Sequence, residues 1–166
     1  MNLVTRFHPR RLVFASLMGG LALVSNNLEI LHILIYPPFK LNPRWIFSLL
    51  GACWTGPLGG LLCGLMGAID MSPGFDIFVG SPLHALVGWV AKYLRKKKHS
   101  GVWACLLMLI IGIPGDTLTG YYLFDIPLNI AFLVVGITSI TTIGITIFLG
   151  LILEKKIPYI TQIAEI

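Results

Sequence analysis

Apolar stretches recur along the whole chain, and charged residues interrupt them only in a few short clusters. Charged residues make up 11% of the 166 positions, whereas a soluble domain has roughly 25%. So few charges cannot cover a water-soluble surface, and the mean hydropathy of +0.87 agrees. Helices satisfy backbone hydrogen bonds inside a bilayer. The sequence therefore predicts an all-α membrane protein with a single transmembrane domain over residues 1–166.

Six apolar segments predict a bundle of six short transmembrane helices. A spanning helix needs roughly 20 apolar residues, and shorter helices occur where the protein shields their ends or the bilayer thins. The segments lie at about 11–28, 43–56, 57–71, 82–95, 101–119 and 127–153. The first resembles a signal peptide but lacks a small-residue cleavage site, so we expect it to be retained. Alternatively, it runs on through Ile30–Ile35 until Pro37-Pro38 stops it.

The positions of lysine and arginine predict the orientation, because cytoplasmic loops carry the excess of these residues. With six spans starting inside, ten of the 12 lie in the cytoplasm. These ten are Arg6, Arg10, Arg11, Lys92, Arg95, Lys96, Lys97, Lys98, Lys155 and Lys156. We therefore expect both termini to be cytoplasmic, in a multi-pass protein of the cell membrane.

The second and third segments meet at Trp54-Thr55-Gly56-Pro57, a short uncharged stretch that predicts a tightly packed helical hairpin. Small residues continue from it at four-residue spacing. One row contains Gly56, Gly60, Gly64 and Ala68, and a second row contains Gly59, Cys63 and Gly67. A neighbouring helix backbone can approach closely along either row, so both rows are interpreted first as packing surfaces.

Polar residues gather at the predicted outer side, where they could bind a ligand. The candidates are His84, Asp116, Tyr121, Tyr122 and Asn129, with Asp76 and Glu29 as weaker ones. Asp116 would accept a hydrogen bond or pair with a cationic group, the tyrosines would stack or donate, and Asn129 and His84 would fix orientation. Each has a structural alternative, such as a helix cap for Asp116 and an interfacial aromatic belt for the tyrosines.

Several other chemistries lack their sequence patterns. The chain has no phosphate-binding GxxxxGK[ST] loop, no HExxH and no GxSxG. Cys53, Cys63 and Cys105 lie in apolar stretches without metal-ligand spacing, so we expect buried free thiols and neither a metal nor a cofactor. The net charge of +5 comes from residues beside apolar spans, which argues against a nucleic-acid partner.

One enzymatic alternative is an intramembrane aspartyl protease that uses Asp70 and Asp116. Such enzymes use two membrane aspartates, one of them in a GxGD sequence. Here the segment reads Ile113-Pro114-Gly115-Asp116, with Ile113 where the first glycine belongs, and both acids lie towards the outer ends of their segments. A paired-carboxylate mechanism also requires the two acids to lie within hydrogen-bond reach.

The stretch from Leu49 to Asp70 looks like the "GPxxGxxxGxxxD" pattern of the third helix in S components, the substrate-binding subunits of energy-coupling factor (ECF) transporters. The layout of the whole chain also resembles that family. Its first segment carries Ala15 and Gly19, with Ser16 and Gly20 one step round the helix. That pattern is similar to the AxxxA-like face on which the family docks its transmembrane coupling protein.

The resemblance implies a transport subunit without an ATPase site of its own. It would capture a vitamin or related micronutrient from outside, in a pocket made by the first outer loop and the outer parts of helices four to six. It would then deliver that ligand by reorienting against a coupling protein driven by two ATPase subunits. A structural or assembly role in the membrane is the alternative from another class.

Overall fold

The structure, a computed structural model, describes residues 9–28, 33–36, 39–69, 76–157 and 159–160. Five α-helices account for most of them: α1 (Pro9–Asn27), α2 (Arg44–Ala68), α3 (Ser81–Lys96), α4 (Ile113–Phe124) and α5 (Leu128–Lys156). A π-helical turn, Asp76–Gly80, leads directly into α3. A 3₁₀ segment, Gly101–Leu106, and a π-helical turn, Met108–Gly112, lead into α4.

Four helical stretches are long and apolar enough to cross a membrane, as expected of a membrane protein. They are Ile77–Lys96, Gly101–Phe124, Leu128–Lys156 and Arg44–Ala68, the last counted along the chain through its Gly56 turn. Leu128–Lys156 is the most apolar, and only 28% of its most apolar window is buried within the protein. Its remaining surface is rich in leucine, isoleucine and phenylalanine, which suits contact with lipid.

Helix α2 reverses direction at Gly56, where the sequence predicts a tight turn. Gly56 has φ 83° and ψ −167°, a backbone conformation that is essentially restricted to glycine. The arms on either side, 44–55 and 57–68, then run antiparallel, because the Arg44 guanidinium donates to the Gly67 carbonyl at 2.9 Å. Each arm is about 18 Å long at 1.5 Å per residue, which is shorter than a hydrocarbon core of about 30 Å.

The observed elements differ from the predicted ones in three respects. The described ranges contain five α-helical elements rather than six, since the segments predicted at 43–56 and 57–71 form one element with two helical arms that reverses at Gly56. The alternative extension of the first helix through Ile30–Ile35 is wrong, because Ile33–Tyr36 is a strand. This strand, β1, pairs antiparallel with β2, Phe39–Leu41.

The two arms of α2 form the centre of the bundle, and each small-residue row of the second arm faces a different helix. Gly60 and Gly64 face α3, where a methyl group added at Gly64 would lie 2.8 Å from the Ser81 Cα. The other row faces α1, where the Cys63 thiol donates to the Ala15 carbonyl at 3.2 Å. The prediction that these rows are packing surfaces is therefore confirmed.

The helices run alternately between two ends of the bundle, which we call the Arg44 end and the Glu154 end. The Arg44 end holds the last turn of α1, both ends of the α2 hairpin and the first turns of α3 and α5. The Glu154 end holds the start of α1, the Gly56 turn and the last turns of α3 and α5. Of the 11 lysines and arginines in the described ranges, nine lie at the Glu154 end.

The helices form two groups that are tied together at the Glu154 end. Helices α1 and α3 both pack on α2, while α4 packs mainly on α5. At the Glu154 end, the Glu154 carboxylate of α5 accepts hydrogen bonds from Trp54, Arg95 and Ser100. The β-hairpin also lies beside α5. Glu154 therefore joins the two groups of helices at the Glu154 end.

Candidate functional site at the Arg44 end

A buried histidine lies where α3 begins against the first arm of α2. His84 is 3% exposed, and its Nδ1 lies 2.8 Å from the Gly80 carbonyl oxygen. Because a carbonyl oxygen only accepts, Nδ1 carries a proton, and Nε2 lies 3.0 Å from the Ser48 hydroxyl, which also donates to the Trp45 carbonyl at 3.2 Å. The ring also stacks on Trp45 with centroids 5.3 Å apart. His84 is thus fixed in one orientation.

Arg44 and two asparagines extend these polar contacts to α1. The Asn42 amide donates to Asn26 Oδ1 at 2.7 Å, while its own Oδ1 accepts from the Arg44 backbone N–H at 2.9 Å. Asn26 in turn donates to the Ile69 carbonyl at 3.1 Å. Arg44 is buried, and its guanidinium carbon lies 4.9 Å from the centre of the Trp45 ring. These bonds join α1, both arms of α2 and the residue after the β-hairpin.

A small recess opens beside this network. Its walls are Arg44, Trp45, Ser48, Gly64, Gly67, Ala68, Gly80 and His84. The volume that the centre of a water molecule can occupy in the recess is about 10 Å³. The recess therefore has room for roughly one water. A cationic group, a hydroxyl and an imidazole meet there, so the recess suits one small polar end group rather than a whole vitamin-sized molecule.

The other predicted ligand residues lie on the second group of helices. Asp116 is half-buried in the first turn of α4, while Tyr121 and Tyr122 near its end are exposed, with ring centroids 4.9 Å apart in an edge-to-face arrangement. Asn129 is exposed in the first turn of α5. The structure therefore places these four residues on two adjacent helices, and places His84 on α3.

Thr117, beside Asp116, adds a polar group that the sequence reasoning missed. The residue is 4% exposed, and within the described part of the chain its hydroxyl oxygen has no hydrogen-bond partner. A buried hydroxyl without a partner costs free energy. Asp116 itself makes contacts within the chain.

The structure does not describe the side chains of the two weaker ligand candidates or of one protease candidate. Glu29 and Asp70 lie outside the described residues, and only the backbone of Asp76 is described, at the start of the turn that precedes α3. A paired-carboxylate mechanism needs Asp70 and Asp116 close together, and the described residues do not define the distance between them. In the described ranges, no group of three histidine, cysteine or acidic residues forms a metal site.

The face predicted to dock a partner is divided between the inside and the outside of the bundle. Ala15 is fully buried, and a methyl group added at Gly19 would lie 2.7 Å from the Met66 sulfur. Both residues are occupied by packing against α2, so they are not available to a partner in this structure. Ser16 is exposed, and a methyl group added at Gly20 would meet no atom within 4 Å.

The polar residues that the sequence reasoning left out of the ligand set share a recognisable pattern. Arg44 and Ser48 are four residues apart, which places them on one helix face, opposite the glycines of the second arm. From its position in the sequence, Arg44 was treated only as a charged residue in a loop. In the structure it is 6% exposed and lies inside the bundle. Its position beside a predicted hairpin was the available signal.

No protein-family model, curated protein or solved structure matches the chain.

Proposed function

We propose that this chain is the substrate-binding membrane subunit, or S component, of an ECF-type importer for a vitamin or related micronutrient. In this proposal the two arms of α2 count as separate short segments, which makes six in all with both termini in the cytoplasm. The excess of lysine and arginine at the Glu154 end supports that orientation. The Arg44 end then faces outward.

The closed Glu154 end, opposite the predicted ligand residues, carries the proposal. A capture subunit needs a closed inner end and ligand-binding groups towards the outside. Here Glu154 ties α5 to Trp54 and Arg95 at the inner end, and the β-hairpin lies beside α5. That hairpin corresponds to the first outer loop, which in the resemblance forms part of the pocket wall.

The ligand would lie between α3 and the outer halves of α4 and α5. Tyr121 and Tyr122 would stack against an aromatic ring, and Asn129 would hydrogen-bond its polar edge. Asp116 and the buried Thr117 hydroxyl would meet a donor or acceptor group deeper in the site. His84, already held by Ser48 and Gly80, would act by positioning the start of α3 rather than by direct contact.

The exposed part of the α1 face would contact the coupling protein. Ser16 and Gly20 lie one turn apart on it, and small residues at this spacing permit close helix contact. The two ATPase subunits would supply the energy, in keeping with a chain that lacks a phosphate-binding loop. Ala15 and Gly19 would hold α1 against α2 and keep that face in place.

The proposal predicts ligand binding by the purified chain alone, without ATP. A thermal-shift screen with B vitamins and their precursors should identify a stabilising compound. Tyr122→Ala should then weaken its affinity by about five- to 150-fold, since one aromatic stacking contact contributes about 1–3 kcal/mol. Tyr122 is 72% exposed and the control residue Tyr93, at the other end, is 50% exposed. Tyr93→Ala should leave the affinity unchanged.

Two results would count against the proposal. A screen in which no compound raises the unfolding temperature, together with no small molecule retained by the purified protein, would contradict a capture subunit. A structural or assembly role instead predicts that Tyr122→Ala has no effect, while Gly20→Leu abolishes formation of a membrane complex.

A further inference from the structure

Two of the three cysteines lie in contact near the Glu154 end. The Sγ atoms of Cys53 and Cys105 are 3.4 Å apart, across 52 positions of sequence. Cys53 lies at the end of the first arm of α2, shortly before Gly56, and Cys105 lies in the 3₁₀ segment Gly101–Leu106. Both side chains are fully buried, and both thiols are free. The two thiols therefore face each other where the 3₁₀ segment packs on α2.

The separation of the two sulfur atoms is short enough for a covalent bond to form between them. A disulfide has an S–S length of about 2.05 Å, so the sulfur atoms need to move about 1.4 Å closer. Small rotations of two side chains that already point at each other can supply a movement of this size. The contact that would be lost is at most one S–H hydrogen bond, which is weak. Formation of the bond therefore requires no change in the packing of the helices.

The third cysteine lies on another side of the first arm of α2. A methyl group added at Gly51 would contact the Cys63 sulfur. Gly51 and Cys53 are two residues apart, which places them on nearly opposite sides of a helix. The Cys63 thiol donates instead to the Ala15 carbonyl of α1 at 3.2 Å. The three cysteines thus form one pair and one separate thiol, which is a reference within the same chain.

The thiol pair is buried, but it lies close to one end of the bundle. The 3₁₀ segment begins at Gly101, four residues before Cys105, which corresponds to about 8 Å at 2.0 Å per residue. The residues that precede this segment, Lys97–His99, are exposed. A small oxidant therefore has a short distance to cover, whereas a bulky alkylating reagent needs space that the packed core lacks.

We infer that Cys53 and Cys105 are a modification site, at which a peroxide oxidises the two thiols to a reversible disulfide. One sulfur attacks the O–O bond of the peroxide and becomes a sulfenic acid, and the other peroxide oxygen leaves as water or an alcohol. The second sulfur then attacks the first, the S–S bond forms, and the hydroxyl group leaves as water with the second thiol proton. The two sulfurs lose two electrons in all, and the peroxide accepts them.

The disulfide would join α2 covalently to the segment that leads into α4. Glu154 already connects these parts of the chain, because its carboxylate accepts from Trp54 of α2 and from Ser100 before the 3₁₀ segment. Oxidation would reinforce that connection, and other thiols would reverse it by exchange. The site does not rest on the proposed transport function, because it lies at the opposite end from the ligand residues.

The test counts free thiols in the full chain, purified in a neutral detergent with a reductant that is then removed. The protein is treated with hydrogen peroxide, and catalase destroys the excess. The chain is then denatured in the presence of a maleimide, and its intact mass is measured. The untreated chain should carry three labels, one for each free cysteine. The treated chain should lose the labels of Cys53 and Cys105, and dithiothreitol should restore both.

The matched controls each lack one cysteine. Cys63→Ala should lose both of its remaining labels after peroxide, whereas Cys53→Ala should keep both. If Cys53→Ala does not fold, Cys105→Ala gives the same comparison. Full labelling of the treated chain, or equal loss of labels in Cys53→Ala and Cys63→Ala, would overturn the site. A loss that dithiothreitol does not reverse, or a disulfide-linked dimer on a non-reducing gel, would overturn it as well.

Discussion

The indole nitrogen of Trp54 donates a hydrogen bond to the Glu154 carboxylate at 3.0 Å, across 100 positions of sequence. Trp54 precedes the Gly56 turn at the centre of the bundle, and Glu154 lies near the end of α5. The same carboxylate pairs with Arg95 at 3.2 Å, where the two side chains are 14% and 11% exposed. Helices α2, α3 and α5 thus share one acidic group.

Replacement of Glu154 should therefore destabilise the protein strongly. Glu154→Ala removes the acceptor from Trp54 and leaves Arg95 largely buried without its carboxylate, which costs about 3–5 kcal/mol. Glu154→Gln keeps one carbonyl oxygen and should cost less. The free energy of unfolding in detergent, measured against Lys155→Gln on the same helix turn, checks this. An unchanged value for Glu154→Ala would show that the pair contributes nothing.

Gly56→Ala should destabilise the hairpin of α2. The positive φ of Gly56 is accessible to alanine only with strain of about 1–3 kcal/mol. The control is Gly136→Ala in α5, where an added methyl group would meet no atom within 4 Å. Alanine is the better helix former there by about 1 kcal/mol, so this variant should be neutral or slightly stabilised. Thermal unfolding of both variants measures the difference, and equal effects would argue against the reversal at Gly56.

Asn42→Ala should loosen the Arg44 end. The change removes two buried hydrogen bonds, one to Asn26 and one to the Arg44 backbone, at a cost of about 2 kcal/mol. Asn27→Ala is the matched control, because the exposed Asn27 amide bonds only within its own helix, to the Leu23 carbonyl at 2.9 Å. Hydrogen exchange at the end of α1 and the start of α2 should rise in the first variant alone.

All three cysteines should resist alkylation in the folded protein. Cys53, Cys63 and Cys105 are free and fully buried, as the sequence predicts, and buried thiols react slowly because the thiolate is disfavoured. The intact mass after treatment with a maleimide should show no added label, and denaturation in detergent should expose three sites. Rapid labelling of Cys63 without denaturation would contradict its packing between α1 and α2.

The sequence alone determined features that depend on composition and local backbone chemistry. Its hydropathy and charge spacing indicated apolar helices with the basic residues at one end. Gly56-Pro57 marked the break in α2, because only glycine adopts the observed φ and ψ. The two small-residue rows followed from helix periodicity, and both are packing surfaces. The strand at Ile33–Tyr36 was missed, since a short apolar run without alternating polarity fits a helix or a strand equally well.

Only the tertiary structure decided which groups meet. Periodicity places Ala15 and Gly19 on one helix face, but contact with Met66 and Cys63 turns that face inward. The ligand role of His84 stays a prediction, but its contact with Ser48 of α2 comes only from the packing of α3 on the hairpin. Glu154 finds Trp54 and Arg95 only once α5 lies against the hairpin. Such pairings join distant positions through packing, and no local preference of the chain specifies them.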